Sequence, residues 1–243
     1  MERCEYDKLA AAEEQMWWFR GLHAALLDAL AGATLASPST ILDAGCGTGG
    51  LLARLKQALP RARLVGLDLD AVAAVLARAK SGCPVCVGSI DRLPLGEGTL
   101  DAVLSADVLC HRGVDAAAGL AEIRRCLRPG GILVINLPAY AWLCSAHDAA
   151  VDNVRRFGRA ELEYLLAAAG FAAVRAFYWN SFLFPLMVLR RKLWRRAGSD
   201  VGLFPAPVER LFALVMALEG RLRRAGLALP FGGSILAVAE KPS

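Results

Sequence analysis

Long apolar runs are missing from this chain. The apolar fraction of its 243 residues is high, at 56%, and comes largely from alanine and leucine. Even so, no stretch reaches the roughly 18 uninterrupted apolar residues that a spanning helix needs, and a soluble protein is expected. The first residues, Met1-Glu2-Arg3-Cys4-Glu5-Tyr6-Asp7-Lys8, lack the basic-then-apolar order of a secretory signal, so the expected compartment is the cytoplasm. A strong overall charge is also missing. The 28 Lys+Arg against 23 Asp+Glu leave a mild excess, so any basic surface is local, concentrated at Arg190, Arg191, Lys192, Arg195 and Arg196. Seven cysteines are an odd number, several in apolar strand or helix contexts (Cys86, Cys110, Cys126), and no disulfides are expected. Cys83-Pro84-Val85-Cys86 has no second pair and no histidine pattern nearby, which favours strand packing over zinc or redox work; no metal is expected. Nothing in the composition suggests disorder, collagen or a repeat array, so one principal domain is the default.

What is present is concentrated in Ile41-Leu42-Asp43-Ala44-Gly45-Cys46-Gly47-Thr48-Gly49-Gly50. A buried-strand run ends in an acid, a glycine-rich turn lets backbone approach a ligand, and the helix-compatible segment Leu51 to Leu59 follows. This is a nucleotide-type binding loop. Gly45, Gly47 and Gly50 also satisfy the G-x-G-x-x-G pattern of dinucleotide-binding folds, so the loop alone leaves the ligand open.

Strands and helices alternate after it. Strands are expected at Arg63 to Asp68, Val85 to Val87, Leu100 to Ser105 and Ile132 to Asn136, the last entered through Pro129-Gly130-Gly131; helices are expected at Ala71 to Lys80 and Ala116 to Leu127. A helix from Glu161 to Ala169, a strand from Phe171 to about Trp179 and a final strand from Ser234 to Ala239 close the pattern. The expected fold is α/β: a Rossmann-like, doubly wound, seven-stranded sheet, mostly parallel with a reversed last strand, holding ligands beyond the carboxyl ends of its strands. Residues 1–39 form an N-terminal helical cap, with a helix from Glu13 to Leu30 bearing Trp17, Trp18, Phe19 and Arg20. Residues 40–180 and 234–243 form the core, and 181–233 a helical insertion or lid. Two helices are expected in the insertion, about Phe182 to Arg196 and Val208 to Arg224, the second with Val208, Leu211, Phe212, Val215, Leu218 and Leu222 on one apolar face. The aromatic stripe of the N-terminal helix reads first as packing against the sheet edge; a sharper reading has one aromatic, Trp18, also covering the ligand.

The loop's neighbours resolve its ambiguity. Ile41 to Gly49, Val65-Gly66-Leu67-Asp68, Arg92-Leu93-Pro94-Leu95 and Leu127-Arg128-Pro129-Gly130-Gly131 look like the successive motifs of class I S-adenosylmethionine-dependent methyltransferases, in order and spacing, over roughly Thr40 to Leu137. The resemblance extends to a bacterial type 11-like group with an N-terminal Trp-Trp-Phe-Arg helix and a Pro-Ala-Tyr segment after the fifth strand. It implies S-adenosylmethionine as cofactor, with Gly45, Cys46, Gly47 and Gly49 against its amino acid part and Asp43 orienting the loop or meeting the amino group through water. Asp68 would take both ribose hydroxyls, and Leu69 would flank the adenine. Relatives commonly carry an Asp immediately after Gly88; here Ser89 offers a neutral hydroxyl, and Ser89 and Ile90 become the adenine contacts. Ser105 and Asp107 should line the methionine end.

The sulfonium makes its methyl electrophilic, so placement of an oxygen, nitrogen or carbon acceptor supplies much of the rate, and a base is needed only where the acceptor keeps its proton. His111 is the first candidate base, although Cys110-His111 stands where the family often has Glu-His; His147 is the second. Tyr140, Arg156, Tyr178 and Asn180 are candidate acceptor contacts, with Arg155-Arg156-Phe157 equally readable as a solvated helix approach. The acceptor is expected to be small and partly hydrophobic, or lipid-like.

Rival readings are an RNA or DNA methyltransferase and a nicotinamide oxidoreductase. The first is disfavoured because the basic cluster is small and Ser105-Ala106-Asp107-Val108 is not the Asp/Asn-Pro-Pro-Tyr/Phe motif of amino-methylating nucleic-acid enzymes, so no nucleic acid partner is expected. The second is disfavoured by the Arg-Pro-Gly-Gly entry to the fifth strand. A third rival is a non-catalytic protein of this fold that uses the apolar-then-basic run Phe182 to Lys192 for peripheral membrane contact at the inner face of the membrane, or for binding a partner helix.

Overall fold

A computed structural model describes residues 10, 12–35, 37–193 and 202–243. Seven strands, β1 (Thr40–Ala44), β2 (Arg63–Asp68), β3 (Val85–Val87), β4 (Leu100–Ala106), β5 (Leu127–Pro138), β6 (Ala172–Trp179) and β7 (Ser234–Glu240), form one sheet in the order β3-β2-β1-β4-β5-β7-β6. The pairs β1–β2, β1–β4, β2–β3 and β4–β5 are parallel, and β7 runs antiparallel to both β5 and β6. The expected reversed last strand is there. Strand order reverses between β1 and β4, which opens the crevice beyond their carboxyl ends where open α/β sheets hold ligands.

Helices cover both faces: α1 (Trp17–Ala31), α2 (Gly50–Ala58), α3 (Ala71–Ser81), α4 (Ala116–Cys126), α5 (Ala146–Ala150), α6 (Arg159–Ala168), α7 (Phe184–Leu193) and α8 (Ala206–Arg224). Alternation along the central strands decides which face each residue serves. Leu42, Val103, Leu133 and Ile135 pack with Leu120 and Ile123 of α4 and Leu162 and Leu166 of α6. Their neighbours Ile41, Ala102, Leu104 and Val134 face the other way, onto Leu22, Leu26 and Leu30 of α1 and Leu52 and Leu55 of α2. The edge position expected for the N-terminal helix is therefore corrected: α1 lies on the sheet face against β5 and α8, because its leucines at i, i+4, i+8 need a broad apolar partner.

That helix also starts later than Glu13. Glu13 to Gln15 form a turn and Met16 is extended, and the Trp17 N–H donates to Glu209 Oε2 of α8 at 2.8 Å, a helix-start donor satisfied from far along the chain. Glu209 Oε1 accepts from the Phe204 N–H at 2.9 Å. A second α8 carboxylate, Glu219 Oε2, accepts from the Ser181 N–H at 2.8 Å and the Phe182 N–H at 3.2 Å, so α8 ties both α1 and the lead-in to α7 to the body. On α8 itself the expected apolar face is only partly covered. Phe212 meets Trp17 edge-on at 5.5 Å and Met216 is buried, whereas Leu211, Leu214 and Leu218 are exposed.

Candidate active site

The glycine turn grows out of β1. The Gly45 and Cys46 N–H groups both donate to the Leu67 carbonyl, at 2.7 and 2.9 Å, which pins the turn to the end of β2. Gly45 has φ 82°, and a Cβ there would run into the Val108 side chain; only glycine fits on both counts. The Gly47 N–H donates to Asp68 Oδ2 at 2.8 Å, and the Asp70 N–H to Asp68 Oδ1 at 3.0 Å. Burial pushes the Asp68 carboxyl above its ordinary value, against these backbone donors.

Two further carboxylates flank the turn. Asp43 is 2% exposed, and its Oδ2 has no hydrogen-bond partner. Burial, then the nearby carboxylates of Glu13 and Asp68, raise its pKa well above the usual carboxylate range. Asp107, just past β4, has φ 56° and accepts from Asn136 Nδ2 at 2.9 Å, while Asn136 Oδ1 accepts from Trp179 Nε1 at 2.6 Å. Burial raises Asp107 to about 7, against the pull of Arg156 and Asn136.

All three acids line one cavity of about 550 Å³. Gly45, Cys46, Gly47, Leu69, Ser89 and Ile90 line it as well. Leu69 is 72% exposed, so its side chain is free to flank a planar ligand. Ser89 Oγ accepts from the Asp91 N–H at 3.2 Å, which leaves its hydroxyl proton to donate. An orphaned carboxylate oxygen beside a glycine turn, an acid at the end of β2 and an exposed apolar flank fit an adenosyl amino acid: Asp68 for vicinal hydroxyls, Leu69, Ser89 and Ile90 for a base, Asp43 for an ammonium.

Away from the turn, the cavity wall changes character. Trp17, Trp18 and Phe19 of α1 line it together with Leu186 and Met187 of α7 and Phe212 of α8, making an apolar cover from the cap and the insertion. Trp18 does reach the wall, with its ring 6.3 Å from that of Trp179. Both candidate bases, His111 and His147, line the same cavity, as does Asn180. Burial lowers the His111 pKa, against a hydrogen bond to the Asp152 backbone, so its imidazole is neutral near pH 7 and able to accept a proton.

Of the two readings of Arg156, the solvated one fails: the residue is buried. It is 7% exposed and grips Asp148 at 2.8 Å through Nε and 2.7 Å through the terminal nitrogen, while still lining the cavity. Asp148 is buried, which would raise it, but Arg156 outweighs that and holds it low. Arg155 is the solvated member, paired with Glu161 at 2.5 Å. The basic cluster is likewise redirected. Arg190 and Arg191 line the cavity, the Arg190 guanidinium sits 5.5 Å from the Phe204 ring centre, and Lys192 Nζ donates to the Trp142 carbonyl at 2.8 Å. Arg195 and Arg196 lie outside the described residues.

Four expected site residues are held elsewhere. Ser105 is fully buried and its Oγ donates to the Ala44 carbonyl at 3.0 Å, tying β4 to β1. Gly49, with φ 88°, packs on Ala77 of α3. Tyr140 and Tyr178 stack on each other at 5.3 Å, in a cluster with Trp142 and Phe184 beside the cavity rather than on its wall. Conversely, Glu13, Arg190, Met187 and Phe212 line it although the sequence marks none of them as a site residue. Among the described residues the cysteines are unbridged, and burial pushes the Cys46 thiol up. No group of three or more His, Cys, Asp or Glu among the described residues could hold a metal.

Comparison with known proteins agrees with this geometry. Residues 42–135 match the family model of the methyltransferase domain. The malonyl-[acyl-carrier protein] O-methyltransferase of Dechloromonas aromatica is 35% identical over 144 residues, 57% of this chain and 53% of that protein. The chain spans at most 60% of the length of the first curated relatives it matches. Among solved structures, the protein in complex with the Haloferax volcanii Trm112 methyltransferase activator superposes with TM-score 0.63 at 22% identity, covering 98% of each chain. Geranyl diphosphate C-methyltransferase from Streptomyces coelicolor superposes with TM-score 0.60 at 18% identity, covering 90% of this chain and 78% of that one. A glycine turn read as generic on its own thus acquires its context from the strand order around it and from the matched domain: residues 42–135 are a methyltransferase domain of the class I S-adenosylmethionine-dependent type.

Proposed function

We propose that the protein transfers a methyl group from S-adenosylmethionine to a small, partly hydrophobic acceptor held under the cover formed by α1, α7 and α8. One observation carries this reading: a single cavity joins the glycine turn and its three acids to an aromatic and aliphatic wall that also holds His111 and His147. When bound, the cofactor supplies an electrophilic methyl on a cationic sulfur. The protein's part is to orient the acceptor against that methyl, exclude water with Trp17, Trp18, Met187 and Phe212, and take the acceptor's proton on neutral His111 where it has one. His147 is the alternative base. Arg156, Arg190 and Asn180 give the wall polar contacts that suit an acceptor with a polar or anionic end.

The experiment is to incubate the purified protein with methyl-labelled S-adenosylmethionine and fractionated small-molecule and lipid extracts, then identify the labelled product. A label on a small amphipathic molecule supports the reading; cofactor binding without transfer to any fraction would make the protein a non-catalytic member of the fold. Peripheral contact with a lipid surface is a second reading, favoured by the exposed stripe Leu211, Leu214 and Leu218 on α8. No helix among the described residues is long and apolar enough to cross a membrane. Liposome partitioning that persists when the three leucines become serine would remove it.

A further inference from the structure

We propose that Glu13 is a cofactor-site residue: together with Asp43 it receives the ammonium group of the bound cofactor's amino acid part, so that the turn leading into α1 closes over the cofactor. This rests on the methyltransferase reading above. Glu13 is 6% exposed and lines the cavity. Its Oε2 accepts from Thr48 Oγ1, inside the glycine turn, at 2.6 Å and from Lys80 Nζ of α3 at 2.8 Å. His23 Nε2 lies 4.0 Å from Oε1 but adds no charge near neutral pH, because burial lowers its pKa to about 4.

The glycine that completes the G-x-G-x-x-G pattern is explained by the same residue. Gly50 has no unusual backbone angle, yet a Cβ on it would overlap the Glu13 carboxyl. The missing side chain is the seat of Glu13. Around this one turn stand Glu13, Asp43 and Asp68, and Lys80 pairs with Glu13. Asp43 Oδ2 is buried without a hydrogen-bond partner, a costly state that a cationic donor arriving through the cavity would relieve. An ammonium brings both the charge and the protons; an anionic group would meet repulsion from all three acids.

The consequence reaches the acceptor side. Trp17, Trp18 and Phe19 follow Glu13 by four to six residues and wall the same cavity, so cofactor binding at Glu13 sets the cover against which the acceptor packs.

The test is calorimetric titration of wild type and Glu13→Gln with two ligands, S-adenosylhomocysteine and 5′-methylthioadenosine, the second sharing the adenosine and thioether but lacking the amino acid part. Loss of a charge-assisted contact should weaken S-adenosylhomocysteine binding by about 10- to 100-fold and leave methylthioadenosine within about twofold. Gly50→Ala, which evicts Glu13 without removing it, should give the same selective loss. Equal losses for both ligands would show that Glu13 only braces the turn, and unchanged affinity for both would show that it does neither; either result overturns the proposal. Failure of wild type to bind S-adenosylhomocysteine would instead sink the methyltransferase reading on which it rests. As a second readout, hydrogen exchange of the Arg20 to His23 amides should slow on cofactor binding in wild type and less so in Glu13→Gln.

Discussion

Asp107→Asn should make the protein more stable, and increasingly so as pH rises. The native carboxyl titrates at about 7 against an ordinary 3.8, so the folded protein keeps a proton that the unfolded chain releases. With the folded pKa raised, stability is highest below the unfolded value and falls as pH climbs from about 4 towards 7, at about 1.4 kcal/mol per pH unit. Integrated over the full shift, the charged form costs up to about 4 kcal/mol, and water entering through the cavity would reduce that to about 2–3. Asparagine keeps the oxygen that accepts from Asn136 Nδ2 and tolerates the left-handed backbone at this position, φ 56°. Urea unfolding of both proteins at pH 5 and pH 8 isolates the effect, since every other titrating group is shared. The gap between variant and wild type should widen by about 1 kcal/mol between the two pH values for the reduced cost, and by about 2.5 kcal/mol for the full shift. A gap constant to within about 0.5 kcal/mol would refute a buried, proton-holding Asp107. The cost falls in the cavity itself, which is where a protein retains an unfavourable charge if the site uses it.

Gly45→Ala must hold alanine at φ 82° and against Val108; it should cost at least about 1–2 kcal/mol in thermal unfolding and remove measurable cofactor binding in calorimetry. Arg156→Ala strands the buried Asp148 carboxylate, with Arg191 still 3.8 Å away, and should destabilise by about 3 kcal/mol at pH 7, the loss shrinking in acid as Asp148 protonates. His111→Ala should lower turnover on the identified acceptor by about 100-fold or more with cofactor affinity within about twofold, and His147→Ala much less; the reverse order would move the base to His147, and no change in either would mean the acceptor arrives already deprotonated.

The sheet and the glycine turn with its flanking acids were legible because they are local. A strand ending in Asp43, a glycine turn and a second strand ending in Asp68 are adjacent words in the sequence, and the fold brings their ends together through backbone bonds to Leu67. The acceptor end was not, because it is assembled across long separations. Trp17 is capped by Glu209, 192 residues away, and Arg190 and Arg191 turn inward although their run reads as a basic surface; Arg156 finds Asp148 only eight residues away, but in a segment with no periodicity to show which way either faces. Tyr140 and Tyr178 were misplaced for a related reason: each sits at the end of a strand near the crevice, and only their stacking on one another shows that they are already used. Glu13 gave no signal, since acids ahead of an aromatic helix read as an ordinary solvated start. The close approach at Gly50 reveals it.

The central claim is that the glycine turn, Asp68 and Asp43 form an S-adenosylmethionine site. Calorimetric titration of the purified protein with S-adenosylmethionine tests it most directly. One site per chain with a dissociation constant between about 1 μM and 1 mM, weakened at least about tenfold by Asp68→Asn, is the predicted result. No heat of binding from a folded wild-type protein, or equal affinity in the variant, would contradict it.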